Sequence, residues 1–321
     1  MTTEGIIRRT AALARGVTDD EIRQLVRSGR WMRLASGVYM PSEEFASADD
    51  CRRHAFRARA VMANASPEAA LSHVSAAVVH GLEVWGIPLD DVHLTRNRRN
   101  GARRSPGRVM HSARICETDI VVKDGVRVLD VARTVVDLAA TAPFENAVVL
   151  GDHALRRGLT TTDDVMRAAD RMGTHPGHAK VRRALRFMSD RSDSVGESRS
   201  RVLIVREQLP IPETQADIFD EAGRWLARVD FLFPDHGVIG EFDGRIKYRR
   251  DGVASADAED VVYQEKLRED RVRHAGFVVV RWTWADLQTP GVVAAKIRDA
   301  IALASRGSGP TGSFLIRKLT R

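Results

Sequence analysis

The stretch ARVDFLFPDHGVIGEFDG, residues 227–244, places three carboxylates, Asp230, Glu241 and Asp243, in two apolar runs that otherwise read as buried strands joined by PDHG. Ionised carboxylates are costly to bury unless something positive meets them. A neighbouring base, a metal ion, or exposure on a polar sheet face each answers that demand. Strand alternation sets Arg228, Asp230 and Leu232 on one side of the first run, with Val229, Phe231 and Phe233 on the other. In the second run Ile239, Glu241 and Asp243 share a face. If residues 234–237 form the loop, Phe233 pairs with Val238, and counting back sets Asp230 directly opposite Glu241. Like charges in that position repel. A divalent cation of the Mg²⁺ type would offset the repulsion.

Around this hairpin the pattern reads as a helix (195–208), three strands (TQADIFD, WLARVDFLF, VIGEFDG), a helix (257–275) and the strand FVVVRWTW, an α-β-β-β-α-β order. Trp282 and Trp284 read as packing residues on one face of that last strand. A polar break, SDRSDSVGES (189–198), precedes the region, and SRGSGPTGS (305–313) reads as the start of a flexible tail.

An acid on the first helix (Glu197), an Asp in a hairpin strand and Glu-x-Asp-Gly in the next strand resemble the PD-(D/E)XK nuclease superfamily. The branch in view is the bacterial endonuclease-like family related to very-short-patch mismatch repair enzymes. RVDFLFP, GEFDG and EKLREDRVRHAGFVVVRWTW carry the match, over about a third of the chain. The resemblance implies a restriction-endonuclease-like fold in which Asp230 and Glu241 bind Mg²⁺ or Mn²⁺ and Glu197 is an auxiliary acid. The superfamily's lysine position is held here by Asp243, so Lys247 or Lys266 would have to supply the missing cation. Each residue also has a purely structural role open to it. Glu197, three after Ser194, can complete a capping box; Asp243 before Gly244 can be a strand-end turn residue; lysines are ordinarily solvated; Arg268 with its acidic neighbours can brace helix and hairpin.

At the other end, VTDDEIRQLVRSG offers Thr18 as an N-cap with Glu21 three residues on and Gly29 as a stop. Two short helices meeting at Gly16 are expected, with Ile22, Leu25 and Val26 inward and Arg23 and Arg27 outward. RWMRLASGVYM then reads as two strands around ASG, the wing of a winged helix-turn-helix. PSEEFASADD (41–50) reads as a polar connector, and the hairpin DIVVKDGVRVLD turns on Asp124-Gly125 in type I′ geometry. Helices are expected near 130–140, 144–157, 162–171 and 178–189. The run ALARGVT…I…L…SGRW…GVY, continued by LSHVSAAVVHGLEVW, resembles the abortive-infection (AbiEi) type IV antitoxin family, whose members pair a winged helix with a larger effector domain. That resemblance implies a DNA partner and a cognate toxin protein.

The expectation is an α+β multidomain protein: a winged helix-turn-helix (1–48), a mixed α/β AbiEi-like middle domain (49–190), a PD-(D/E)XK nuclease-like domain (191–304) and a flexible tail (305–321). Among 321 residues, 50 Lys and Arg against 43 Asp and Glu leave a net charge of +7, which leans towards a polyanionic partner. The candidate DNA-binding residues are Arg23, Gln24 and Arg27 on the recognition helix, Arg30 and Arg33 at the wing, and Arg98, Arg99, Arg103 and Arg104 in RNRRNGARRSPGRVMHSAR (96–114), which has seven arginines and no acid. His73, His80, His93, His111, His175 and His178 lack companions at zinc-like spacing and read as core or loop histidines. Cys51 and Cys116 read as reduced and buried. The start, MTTEGIIRRT, has no apolar signal core, and no apolar run is long enough to span a bilayer, so a cytoplasmic protein is expected. Metal-dependent phosphodiester hydrolysis is one functional expectation. A transcription regulator or antitoxin whose nuclease fold serves only for binding is the other.

Overall fold

The computed structural model describes residues 5–98, 101–173, 176–244 and 266–316, and it is an α+β multidomain protein with three sheets. Two compact units follow one another, Met1–Met188 and Ser189–Arg321.

The first unit opens with β1 (Ile7–Arg8), α1 (Arg9–Ala14), α2 (Asp19–Arg27), β2 (Trp31–Ala35) and β3 (Val38–Pro41), the strands forming a sheet in the order β1-β3-β2. Thr18 caps α2 through a complete capping box with Glu21, and Ile22 is buried while Arg23 and Arg27 are exposed, as the sequence pattern requires. The polar connector is a different matter. Ser42–Ser47 form α3, and Asp49 caps α4 (Asp50–Met62) by accepting the Arg52 amide. Phe45 on α3 packs against Met40 and Phe56, a contact that the polar residues around it concealed.

The second sheet has six strands in the order β6-β7-β5-β4-β9-β8. They are β4 (Ala69–Leu71), β5 (Val92–Asn97), β6 (Arg103–Ser105), β7 (Arg108–Ala113), β8 (Ile120–Lys123) and β9 (Val126–Leu129), with α5 (His73–His80) inserted after β4. Positive φ at Asp124 (50°) and Gly125 (77°) gives the β8–β9 hairpin its expected type I′ turn. The arginine-rich segment is strand and hairpin rather than an open loop, because β6 and β7 pair antiparallel around Pro106-Gly107. Helices α6 (Val131–Thr141), α7 (Phe144–Arg156), α8 (Thr162–Arg171) and α9 (His178–Phe187) complete the unit around an Ala- and Val-rich core. Every residue from Ala132 to Ala140 on α6 is buried, so this helix is covered all round. Both cysteines are free thiols at exposed positions, which corrects the expectation of burial: they lie just inside α4 and in the loop before β8, not on apolar faces.

The second unit runs α10 (Val195–Arg206), β10 (Glu213–Phe219), β11 (Trp225–Phe233), β12 (Val238–Asp243), helical residues 266–274 (α11), β13 (Val278–Thr283), α12 (Trp284–Gln288), α13 (Val292–Ala304) and β14 (Ser313–Ile316). Its mixed sheet has the order β13-β12-β11-β10-β14, with β12 and β13 parallel and the other pairs antiparallel. Two expectations are corrected here. Part of the tail is a strand: Phe314, Leu315 and Ile316 pair along the otherwise open edge of β10, because the apolar run after SRGSGPTGS finds unsatisfied strand amides there. Trp284 does not extend β13 but starts α12, since the Thr283 hydroxyl accepts the Asp286 amide and ends the strand in a capping box. Residues 257–265 of the expected helix lie outside the described residues.

Gly196 lets α10 approach β12. A Cβ there would meet three ring atoms of Phe242 at 1.9–2.4 Å, and that ring is itself held edge-on by Trp284. Gly196→Ala, in the first turn of α10, gains less than the ~1 kcal/mol of propensity it would gain in a helix interior but overpacks the seam by about 1–3 kcal/mol. The clash should prevail. A lower urea midpoint for the variant is the expected result, and a raised midpoint would show that the seam has slack.

Candidate functional site

The hairpin register is the one the sequence dictates. Phe231 pairs with Gly240, Leu232 with Ile239 and Phe233 with Val238, around a turn closed by Gly237 at φ 62°. One step further along this register Asp230 faces Glu241. On the other flank of β11, Thr214 pairs with Phe231 and Ala216 with Val229, so Gln215 occupies the position beside Asp230. Glu241 pairs with Arg281 across the parallel β12–β13 ladder. Gln215, Asp230, Glu241 and Arg281 therefore form one transverse row across four strands.

Glu197, in the first turn of α10, joins this row through Gln215, whose Nε2 donates to Glu197 Oε2 at 2.9 Å. Glu197 is buried, and its carboxylate also accepts from the Asp193 amide (2.8 Å) and the Ser194 hydroxyl (2.9 Å). The capping role that the sequence left open is met in part: Ser194 caps α10 by accepting the Glu197 amide at 3.2 Å, while the Glu197 carboxylate takes the amide of Asp193, one residue before the cap, and keeps a place beside the acidic row. Gln215 has φ 56°, a left-handed conformation that few non-glycine residues adopt. Residues held this way concentrate at functional positions.

Asp230 is the perturbed member. Burial, and then the Glu197 charge, push its carboxyl up to about 7, with Glu241 adding to the effect. The Phe242 amide, which donates to Asp230 Oδ2 at 2.8 Å, and the Arg268 guanidinium pull the other way without prevailing. Burial likewise raises the Glu197 carboxyl despite its three donors. Glu241 is better compensated. Arg268 on α11 reaches its Oε1 at 2.8 Å and Arg281 its Oε2 at 2.7 Å, and Arg281 also meets Glu269 at 3.1 Å.

The donor set is all carboxylate oxygen, which suits a hard cation such as Mg²⁺ or Mn²⁺. Asp230 and Glu241 are the ligands it would use, and such an ion would share Glu241 with the two arginines. Asp243 ends β12 on the same face as Glu241 by alternation. Lys266 is exposed on α11, and Lys247 lies outside the described residues. Sequence reasoning missed Gln215 and Arg281. Arg281 stands in β13 as a lone cation among valines (VVVRW), the same signal that drew attention to Asp230.

The proposed DNA contacts are dispersed. Arg23, Gln24 and Arg27 are exposed on α2, with Arg23 paired to Asp20 at 2.8 Å; Arg30 and Arg33 are exposed before and within β2. Arg98 and Arg103 are exposed near the β6–β7 hairpin, Arg104 is paired to Asp91 at 2.7 Å, and Arg99 lies outside the described residues.

Spacing along the chain does not show which histidines the fold brings together. His73 on α5, His93 on β5 and His111 on β7 meet, each offering a nitrogen within 4.8 Å of the others. His80, by contrast, is tied to the Leu129 carbonyl at 2.7 Å. His178 begins α9, and His175 lies outside the described residues.

No protein-family model matches the chain. Two proteins of Mycobacterium tuberculosis, the uncharacterized protein MT2308 of strain CDC 1551 and the uncharacterized protein Rv2248 of strain H37Rv, are each 28% identical to it over 167 residues. The match covers 52% of this chain and 58% of each relative. Among solved structures, the crystal structure of the RV2827C protein from Mycobacterium tuberculosis aligns with a TM-score of 0.40 and 14% identity, over 61% of this chain and 75% of that one. No helix among the described residues is long and apolar enough to cross a membrane.

Proposed function

We propose that the second unit is a PD-(D/E)XK-like, metal-dependent DNA endonuclease domain and that the first unit carries the DNA-binding winged helix. The observation that carries the reading is Asp230: a carboxyl pushed up to about 7 by burial and two acidic neighbours, beside a Glu241 that meets one guanidinium from the row and one from α11. Crowded acids with displaced proton affinity are the signature of a site built for charge that arrives from outside. When bound at Asp230 and Glu241, Mg²⁺ or Mn²⁺ supplies Lewis-acid charge to a phosphate oxygen and acidifies water. In this reading Arg268 and Arg281 provide the cationic charge that the superfamily takes from a lysine, and their planar forks suit a phosphate. Glu197 holds Gln215, and through it the edge of the row.

The test is cleavage of single- and double-stranded DNA by the full chain with Mg²⁺ or Mn²⁺, for the wild type and Glu241→Gln. Gln keeps the side-chain volume beside the two arginines. A loss of roughly a hundredfold is expected for removal of one preorganised charge at the reacting centre. Equal cutting by both proteins would reject the site. A second reading, a regulator or antitoxin that binds DNA or a toxin without cutting, is favoured by one observation: both Glu241 oxygens are already met by arginines. Absence of cleavage in the wild type, with DNA binding retained, would favour it.

In the nuclease reading, and in the regulator reading where the partner is DNA, Arg23 and Arg27 contact the duplex. Each lost phosphate contact should flatten the slope of log affinity against log salt by about 0.9 on duplex DNA. For Arg23→Ala with Arg27→Ala, a fluorescence-anisotropy series in salt should show a slope smaller by up to about 2. An unchanged slope would remove α2 from the interface.

A further inference from the structure

We propose that His73, His93 and His111 form a nitrogen-donor site for a borderline divalent metal of the zinc class, separate from the carboxylate row. The three residues come from different elements, and the fold brings them together for a definable reason. In the parallel β5–β7 ladder Thr95 pairs with His111, and His93, two residues before Thr95, lies on the same face. His73 enters from the start of α5.

The His93 Nδ1 and His111 Nε2 atoms are 3.0 Å apart. Two imidazole nitrogens on one tetrahedral zinc stand roughly 3.3 Å apart, given Zn–N bonds of about 2.0–2.1 Å. Small shifts thus convert a shared proton into a shared metal. The His73 ring lies 3.8 Å from that of His111 at an interplanar angle of 16°. Ligation requires His73 to turn out of this stack, a rotation about its soft terminal torsion. All three candidate nitrogens already lie within 4.8 Å of one another.

Two further features distinguish the cluster from ordinary core histidines. His54, a neighbouring core histidine, has both ring nitrogens engaged, by the Leu89 carbonyl at 2.9 Å and the Ser75 hydroxyl at 2.8 Å. His93 and His111 instead face each other, ring nitrogen to ring nitrogen. His73 sits at φ 49°, a left-handed conformation that places this residue at the cluster against local backbone preference.

The Ser72 hydroxyl meets His73 Nδ1 at 3.0 Å, and Asp137, its Oδ1 fixed by Arg133 at 2.8 Å, stands beyond with Oδ2 at 3.9 Å from the same nitrogen. Hydrogen-bond partners on the far nitrogen orient a ligating imidazole. A three-imidazole set selects Zn²⁺, Co²⁺ or Ni²⁺ over Mg²⁺ and leaves a fourth position for water. His93 and His111 are only partly buried, so water can reach it.

The experiment titrates the full chain, stripped with a chelator and dialysed, with Co²⁺ alone. The expected result is visible d–d absorption that saturates at one equivalent and is lost on adding Zn²⁺. His93→Gln and His111→Gln should each weaken Co²⁺ binding by about a hundredfold. Asp230→Asn should leave it unchanged, which separates this site from the proposed nuclease site. Absence of a saturating band in the wild type, or wild-type affinity in both histidine variants, overturns the proposal. If the variants fail to fold by circular dichroism, X-ray absorption of the cobalt-loaded wild type decides. Two or three imidazoles around cobalt uphold the site, and one or none overturns it.

Discussion

Asp230→Asn is expected to stabilise the metal-free protein above neutral pH and to abolish its stabilisation by Mn²⁺. The folded carboxyl titrates near 7, against about 3.9 in an unfolded chain. Between those values the folded state binds one more proton than the unfolded state, so the free energy of unfolding falls by about 1.36 kcal/mol per pH unit as pH rises. The stabilising contribution of the protonated group is whole below about pH 4 and gone above about pH 7. Over the full window up to about 4 kcal/mol is lost. Glu197, also raised by burial, adds to the loss in the same direction. Asparagine cannot ionise, and its carbonyl still accepts the Phe242 amide that Asp230 accepts at 2.8 Å. The variant should therefore match the wild type near pH 4 and exceed it at pH 8 by a few kcal/mol. Mn²⁺ should supply to the wild type what the mutation supplies to the variant, with stabilisation of about 2.7 kcal/mol at a hundredfold excess over Kd. Urea titrations at both pH values, with EDTA and with Mn²⁺, read all four states. A variant less stable than the wild type at pH 8 would mean that Asp230 is an ordinary ion-pair partner.

Removal of a single guanidinium from the first unit should be as severe. Arg133 is 2% exposed, in the first turn of α6, and donates to Asp137 Oδ1 at 2.8 Å and to the Arg114 carbonyl at 3.0 Å, with Asp119 Oδ2 at 3.5 Å. Asp119 is buried too, but Arg171 donates to it at 2.7 and 3.0 Å and the Cys116 amide at 2.9 Å. Arg133→Ala leaves the buried charge of Asp137 without its guanidinium and opens a cavity beside it, at a cost of about 3–5 kcal/mol. Arg133→Met with Asp137→Leu removes both charges and refills the volume, so it should recover most of that loss. Chemical denaturation of the single and double variants gives the comparison. A double variant no better than Arg133→Ala would show that packing, not charge, holds α6 in place.

The hairpin at the centre of the second unit was legible because a strand has period two and Gly237 fixes the turn; with those given, arithmetic places Asp230 opposite Glu241. Capping chemistry at Thr18 with Glu21 and turn chemistry at Asp124-Gly125 were legible for the same local reason. Misreadings arose where a local signal was overridden at a distance. Polar residues around Phe45 concealed a helix whose one aromatic is held by Met40 and Phe56. A glycine-rich run concealed a strand whose partner is β10, about a hundred residues earlier.

By itself, then, the sequence determined those features whose physics is contained in a few consecutive residues: caps, turns, alternation and the position of acids within apolar strands. Tertiary structure alone decided what meets those residues. Glu241 is paired with Arg268 from a helix and Arg281 from a parallel strand, and His73, His93 and His111 converge although no short spacing links them. The reason is that pairing between elements distant in the chain depends on which sheet edge and which helix face are left to be covered, a property of the whole packed unit. The charge on Asp230 follows from the same fact, since its proton affinity is set by burial and by Glu197 on another element, neither of which its neighbours in the chain encode.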